Sequence, residues 1–87
     1  MGDFKILTHL NGTHLHLKLM GTFDGVSGSQ LIGLLRRYIQ RVSTVIIHTG
    51  SLSTVLLTQD ELKASLLWLQ GRPVRFIFTG EHASLFN

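Results

Sequence analysis

The five histidines are the residues of this chain whose chemistry is most suggestive. Three of them, His9, His14 and His16, lie within a stretch of eight residues, in segments where side chains alternate between the two faces of a predicted strand. Imidazole nitrogens bind Zn²⁺ and Ni²⁺, and three histidines with a water molecule form a known zinc coordination. The sequence identifies no carboxylate or carbonyl to orient the rings, as metal sites normally require. A polar, solvent-facing strand surface is therefore the favoured interpretation, and a metal or small-ligand site on this histidine face is an alternative.

The serines, threonines and carboxylates do not form a recognisable catalytic set. The chain has no Gly-x-Ser-x-Gly motif, and it contains no cysteine, which excludes thiolate chemistry and disulfides. Its glycine-rich stretch 21–33 matches neither the Walker spacing nor the dinucleotide fingerprint. Asp24 suits a turn, and Asp60 and Glu61 suit the start of a helix, better than acid–base catalysis. The sequence predicts a protein that is not an enzyme and that uses no cofactor.

Composition and charge indicate one small globular domain over residues 1–87. The chain is 44% hydrophobic and 15% charged, which is a globular rather than a disordered profile. It has no apolar run of about 20 residues and no signal-peptide pattern, so the default expectation is a cytoplasmic protein without membrane contact. The net charge is +3, and Arg36, Arg37 and Arg41 should share one helix. This basic face is smaller than a nucleic-acid surface, so no nucleic-acid partner is expected.

Two alternating segments flank an Asn-Gly pair and predict a β-hairpin. Residues 4–10 and 14–19 alternate with the period of two that is typical of half-buried strands. Asn-Gly, at 11–12, is the strongest short signal for a two-residue turn. With this pair at the central turn positions, His9 faces His14 across the hairpin.

A helix and a short strand are predicted next. Ser27 or Ser29 can cap the helix, and the apolar residues that follow recur at helical spacing to about Val42. The run 44–48 has a continuous apolar centre, Val45-Ile46-Ile47, as in a strand inside a covered sheet. Residues 49–57 are rich in serine and threonine and are predicted to form a connection.

A capping-box sequence, Thr58-Gln59-Asp60-Glu61, predicts the start of a second helix. Gly71 is placed to end this helix, and residues 74–78 form the last predicted strand. The order β-β-α-β-α-β, with right-handed crossovers, gives a small mixed sheet with both helices on one face. The predicted fold class is therefore α/β.

Five segments carry a resemblance to a known family: the strand LHLKLMG, the Thr-Phe-Asp-Gly that follows it, the strand TVIIHTGSL and the two helices. Together they resemble the STAS domain. This family includes the bacterial anti-sigma-factor antagonists, and the resemblance covers most of the chain. Gly21, Phe23 and Asp24 correspond to the family's Gly-x-hydrophobic-Asp turn, and Leu52 and Ser53 to its Asp/Asn-Leu-Ser segment. The resemblance implies a regulatory domain that acts by protein–protein contact, with an anti-sigma kinase-like protein or another regulator as partner.

The chain departs from the family where the family's switch lies. Antagonists of the partner-switching type carry Asp-Ser-Ser/Thr-Gly at the start of the second helix, with a hydroxyl that is phosphorylated. Here the sequence is Leu56-Leu57-Thr58-Gln59, without the acidic residue and the glycine. Thr58 is the nearest equivalent hydroxyl. Helix capping is its expected role, and phosphorylation is the alternative.

The predicted partner surface combines this second junction with an aromatic residue of the second helix. Its members are Ser53, Thr54, Leu56, Leu57, Thr58 and Trp68. Tryptophan is enriched at interface hot spots, although packing at the edge of the core is the simpler role for Trp68. The alternative function is a structural domain that forms a homodimer through its exposed sheet face and edge.

Overall fold

A computed structural model describes residues 3–86, which form a four-stranded sheet covered by helices. The elements are β1 (Phe4–Asn11), β2 (His14–Phe23), α1 (Gly25–Tyr38), β3 (Thr44–Val55), α2 (Gln59–Ser65), a 3₁₀ turn (Leu67–Leu69), β4 (Arg75–Thr79) and α3 (Ala83–Phe86). The strands lie in the order β1-β2-β3-β4, with β1 antiparallel to β2 and the two later pairings parallel. The predicted α/β fold is confirmed. Within residues 3–86, no helix has the length and apolar character needed to cross a membrane.

The hairpin forms, but its turn lies one residue further along the chain than predicted. Asn11 pairs with His14, so Gly12 and Thr13 occupy the two central positions. Gly12 has a φ of 63°, and in the described part of the chain only glycines have a positive φ. A positive φ at the first central position alone is the φ pattern of a type II′ turn, which favours glycine there.

This shift of the turn changes every cross-strand pairing by two residues. Because side chains alternate with a period of two, each side chain still points to its predicted face. The partners differ, however, and His9 lies opposite His16 rather than His14. The predicted pairing of His9 with His14 was therefore wrong.

One hydrophobic core lies between the sheet and the helices. Its buried members are Leu15, Leu17, Leu19, Phe23, Leu31, Leu35, Val42, Val45, Ile47, Leu52, Leu62, Leu66 and Phe86. Residues of α1 and α2 belong to the same cluster, so both helices pack on one face of the sheet, as predicted. The two helices also approach each other closely, since a β-carbon added to Gly28 would lie 3.3 Å from the β-carbon of Ser65. The opposite face of the sheet is left without a covering layer among residues 3–86.

Strand β3 continues well beyond its predicted end at His48. It remains paired with β2 as far as Val55, through register shifts between Lys18 and Met20 and between Gly21 and Thr22. These irregularities accommodate the small polar residues that had indicated a connection. Ser53 and Thr54 therefore lie on a strand, and only residues 56–58 join β3 to α2.

Both helices end earlier than the apolar spacing predicts. The amide of Arg41 donates to the carbonyl of Tyr38 (2.8 Å), an i to i+3 bond that ends α1 before Val42. The amide of Leu69 bonds the carbonyl of Leu66 in the same way (2.9 Å), which turns the end of the second helix into the 3₁₀ turn.

Candidate interaction surface

The starts of α1 and α2 are joined at one edge of the sheet. Each helix follows one of two neighbouring parallel strands, which end with Phe23 opposite Val55. The amide of Leu56 donates a hydrogen bond to the carbonyl of Phe23 (2.9 Å), so the two strand–helix junctions are connected. The carboxyl ends of parallel strands are the usual location of binding sites in open α/β sheets. We call this edge, from Phe23 to Val26 and from Ser53 to Thr58, the junction edge.

Asp24, and not Ser27 or Ser29, caps α1. Its carboxylate accepts from the amide of Ser27 (3.0 Å), and the Ser27 hydroxyl accepts from the amide of Asp24 (3.1 Å). The Ser27 hydroxyl also lies 3.0 Å from the Thr22 carbonyl, to which it can donate. Hydrogen bonds from Ser27 lower the pKa of Asp24 below its ordinary value, and the bond from the Ser27 amide has a larger effect than the bond from its hydroxyl. A buried serine and an ionised aspartate together fix the first junction.

The predicted capping box at the second junction is confirmed. The amide of Glu61 donates to the Thr58 hydroxyl (3.1 Å), and the amide of Thr58 donates to the Glu61 carboxylate (2.8 Å). Thr58 is nevertheless exposed to solvent. Its hydroxyl therefore caps α2 and remains open to a partner or an enzyme.

Two apolar side chains project from the junction edge. Leu56 is 63% exposed, and Val26 in the first turn of α1 is 67% exposed. Leu57, by contrast, is half-buried and packs against the core. Val26 is not among the predicted members of the partner surface, although its position outside the buried stripe of α1 was a usable signal.

The polar members of the predicted surface lie on the last residues of β3. Ser53 and Thr54 are exposed, and the Ser53 hydroxyl donates to the carbonyl of Gly21 (3.0 Å). The hydroxyl of Ser53 thus connects β3 to β2 at the start of the junction edge. These residues form a polar border beside Leu56.

Trp68 lines a groove between α1 and α2 that none of the residues 53–58 lines. Its side chain is half-buried and packs on the core, as the simpler prediction had it. The guanidinium carbons of Arg36 and Arg72 lie 5.5 Å and 3.9 Å from the centre of its ring. The structure therefore groups Trp68 with two arginines, and the groove does not include the other members of the predicted surface.

Histidines form a row across the uncovered face of the sheet. The Nδ1 atom of His16 lies 3.1 Å from Nε2 of His48, and Nδ1 of His48 lies 2.7 Å from the hydroxyl of Thr79. The ring of His9 is 6.3 Å from that of His16. This chain of contacts joins β2, β3 and β4 through side chains, and sequence reasoning did not find it.

The three histidines of the predicted metal alternative are not assembled into a site. His14 is exposed and lies at the turn, paired with Asn11. Over residues 3–86, no group of three or more His, Cys, Asp or Glu side chains is placed to hold a metal ion. The nitrogen atoms of His16 and His48 face each other, which is the arrangement of a hydrogen bond.

No protein-family model and no curated protein sequence matches the chain. The resemblance to the STAS domain therefore stays a prediction from the sequence.

Proposed function

We propose that this chain is a non-enzymatic, STAS-like interaction domain of the cytoplasm, and that a protein partner docks on the junction edge. The observation that carries the proposal is the state of Leu56. Its backbone is held by the bond to Phe23, while its side chain is 63% exposed. An exposed apolar side chain on a hydrogen-bonded backbone, beside polar neighbours, supports a docking role, because a partner that covers it removes apolar surface from water.

The two apolar side chains of this edge would contribute to the free energy of binding a partner. Full burial of a leucine or a valine side chain contributes about 1.5–3 kcal/mol relative to its exposed state. Leu56 and Val26 belong to adjacent junctions, so one partner can cover both. Thr58 and Ser53 would then lie at the border of the interface, where polar contacts set orientation. The partner we favour is a regulatory protein such as an anti-sigma kinase-like protein, with no cofactor, nucleic acid or membrane involved.

Thr58 is the residue through which a modification would control this surface. A phosphate on its exposed hydroxyl would disturb the capping box, because the Glu61 carboxylate already bonds the amide of Thr58. It would also add negative charge next to Leu56. Incubation of the protein with ATP and a cellular kinase extract, followed by mass spectrometry, tests this role. An unmodified Thr58 beside a phosphorylated control substrate would contradict it.

Photo-crosslinking tests the main proposal. A photoreactive phenylalanine in place of Leu56 should form a defined adduct with one other protein, which mass spectrometry then identifies. With that protein purified, Leu56→Ser should weaken binding at least about tenfold, the loss of roughly 1.4 kcal/mol. Leu67→Ser is the matched control, because Leu67 is 60% exposed in the 3₁₀ turn and outside the junction edge. Equal losses for the two variants would contradict the proposal.

A homodimer remains the second candidate, supported by the uncovered sheet face and its free edge. Leu7 is 46% exposed on that face, and Leu10 is 41% exposed on the same edge strand, β1. An unpaired edge strand can pair with a second copy. Light scattering decides between the candidates. A monomer would exclude the homodimer, and a stable dimer that buries residues 53–58 would exclude the partner-binding proposal.

A further inference from the structure

We propose that the groove between α1 and α2 is a second docking site, and that it accepts a helix with acidic side chains from another protein. This inference goes beyond the proposed function, because it rests on different residues. Arg36, Trp68 and Gly33 line the groove, and Arg72 stacks on the Trp68 ring.

The floor of the groove is made of small residues and has room for another chain. The groove has a volume of about 480 Å³, and Gly25, Ser29, Gly33 and Ala64 are among its lining residues. Small or missing side chains at such positions let a second backbone approach closely. The groove lies between α1 and α2, so a helix laid along it would contact both.

Gly33 is the most informative of these residues. Glycine in the interior of a helix destabilises it relative to alanine, so it normally has a packing reason. Gly33 has none within residues 3–86, since a β-carbon built on it would meet no atom within 4 Å, and its φ is not positive. Gly28, on the same helix, does have such a reason in Ser65. Gly33 is exposed, and the open space beside it leaves room for an occupant from outside the chain.

The rim of the groove selects for negative charge. Arg72 stacks on the Trp68 ring, and its Nε donates to the Trp68 carbonyl (2.9 Å), which leaves both terminal nitrogens free to bind a carboxylate. Arg36 lies on the same ring. Within the described part of the chain, neither arginine has a carboxylate within 4.0 Å, and the one ion pair joins His82 and Glu81. The two cations are thus oriented and not neutralised.

Two cations on one ring favour a partner that carries more than one acidic side chain. Both guanidinium carbons lie within 5.5 Å of the centre of the Trp68 ring. A helix with acidic side chains at i and i+4 presents two carboxylates on one face, and it is the simplest such partner. A nucleic acid would need a longer track of cations and more stacking aromatics than this groove provides.

Trp68 provides the assay, because it is the only tryptophan of the chain. The probe is a synthetic helical peptide with glutamates at i and i+4 and alanines between them. We expect its titration to change the Trp68 emission saturably, with a weaker response at higher salt. Arg36→Gln combined with Arg72→Gln should weaken binding by at least about tenfold. Arg75→Gln with Lys63→Gln, which removes the same charge from exposed positions outside the stacked rim, should leave binding within about twofold.

A second variant tests the shape of the groove without changing its charge. Gly33→Leu fills the floor with a better helix former, so the domain stays folded while the peptide is excluded. Circular dichroism confirms the fold of each variant. No saturable change up to about 1 mM peptide, equal binding of a peptide with lysines in place of glutamates, or tighter binding of a short oligo-dT strand would each overturn the proposal. Leu56→Ser should leave peptide binding unchanged, and a loss there would overturn the assignment of two separate sites.

Discussion

Replacement of Ser27 by alanine tests how strongly one buried hydroxyl holds the first strand–helix junction. Ser27 is 1% exposed, and its oxygen lies 3.1 Å from the amide of Asp24 and 3.0 Å from the carbonyl of Thr22. Alanine keeps nearly the same shape and leaves almost no cavity. The change in the free energy of unfolding should therefore come from the lost hydrogen bonds and the partners left behind.

We expect Ser27→Ala to lower the free energy of unfolding by about 2–3 kcal/mol. The two lost hydrogen bonds contribute about 1 kcal/mol each, and a partner that finds no substitute adds about 1 kcal/mol, because Thr22 and Asp24 are only half-buried. The higher helix propensity of alanine offsets about 0.5 kcal/mol. For a domain of this size, each kcal/mol corresponds to about 4–8 °C in Tm, so the midpoint should fall by roughly 10–20 °C.

Equilibrium unfolding in urea, followed by circular dichroism, measures this difference. Ser29→Ala is the control, because Ser29 lies two residues later on α1, is exposed, and makes only one long bond of 3.5 Å to the Gly25 carbonyl. Its effect should be within about 0.5 kcal/mol. Equal effects of the two substitutions would refute the role assigned to the buried hydroxyl.

Three further predictions concern the backbone and the helix starts. The pKa of Asp24 is lowered from 3.8, so its contribution to stability is complete above that pH and is lost as the pH falls through the lowered pKa. In Asp24→Asn, the free energy of unfolding measured in urea should therefore fall less between about pH 5 and pH 2.5 than it does in the unmodified protein. Gly21 has a φ of 89°, and an added β-carbon would meet the Asp3 carbonyl. Gly21→Ala should therefore lower the free energy of unfolding by about 1–3 kcal/mol. Gly33 lies in open space, so Gly33→Ala should raise the free energy of unfolding by up to about 1 kcal/mol in the same measurement. Thr58→Ala should lower it by about 1 kcal/mol through loss of the cap, and an unchanged urea midpoint would contradict the capping role.

The helix starts show what local sequence can predict. The box at Thr58 is written within four consecutive residues, and it forms as the pattern predicts. The cap of α1 uses the same spacing from Asp24 to Ser27, and the prediction placed it at Ser27 or Ser29 because it weighed the serines and not the aspartate. Both outcomes follow from hydrogen bonds between residues three apart, which is the range that a local pattern covers.

The face of the sheet to which each side chain of the hairpin points was predictable, but the residues that pair across its strands were not. Alternation alone fixes which side chains point to the core, and a turn displaced by one position leaves that unchanged. The partner of each residue depends on the turn, where Gly12 takes the first central position and not the second. The length of β3 depends in turn on its neighbour β2, so serine and threonine in its sequence gave a misleading local signal.

The features that carry the two proposed sites come from residues far apart in the sequence. Arg36 meets Trp68 only because α1 and α2 pack together, and His16 meets His48 only because β2 and β3 pair in parallel. Sequence reasoning selected Trp68 and Leu56 by residue type. It could not show that Leu56 belongs to one edge and that Trp68 belongs to a groove with two arginines.

The strand order β1-β2-β3-β4 has a consequence for how the protein is made. Every strand pairs with the strand synthesised just before it, so no later strand must insert between earlier ones. A chain emerging from the ribosome can therefore extend its sheet in the direction of translation, beginning with the hairpin. Until β4 emerges, the apolar edge of β3 at Val45–Ile47 lacks its partner. That interval is the point in synthesis at which a chaperone would be needed or at which a stalled chain would aggregate.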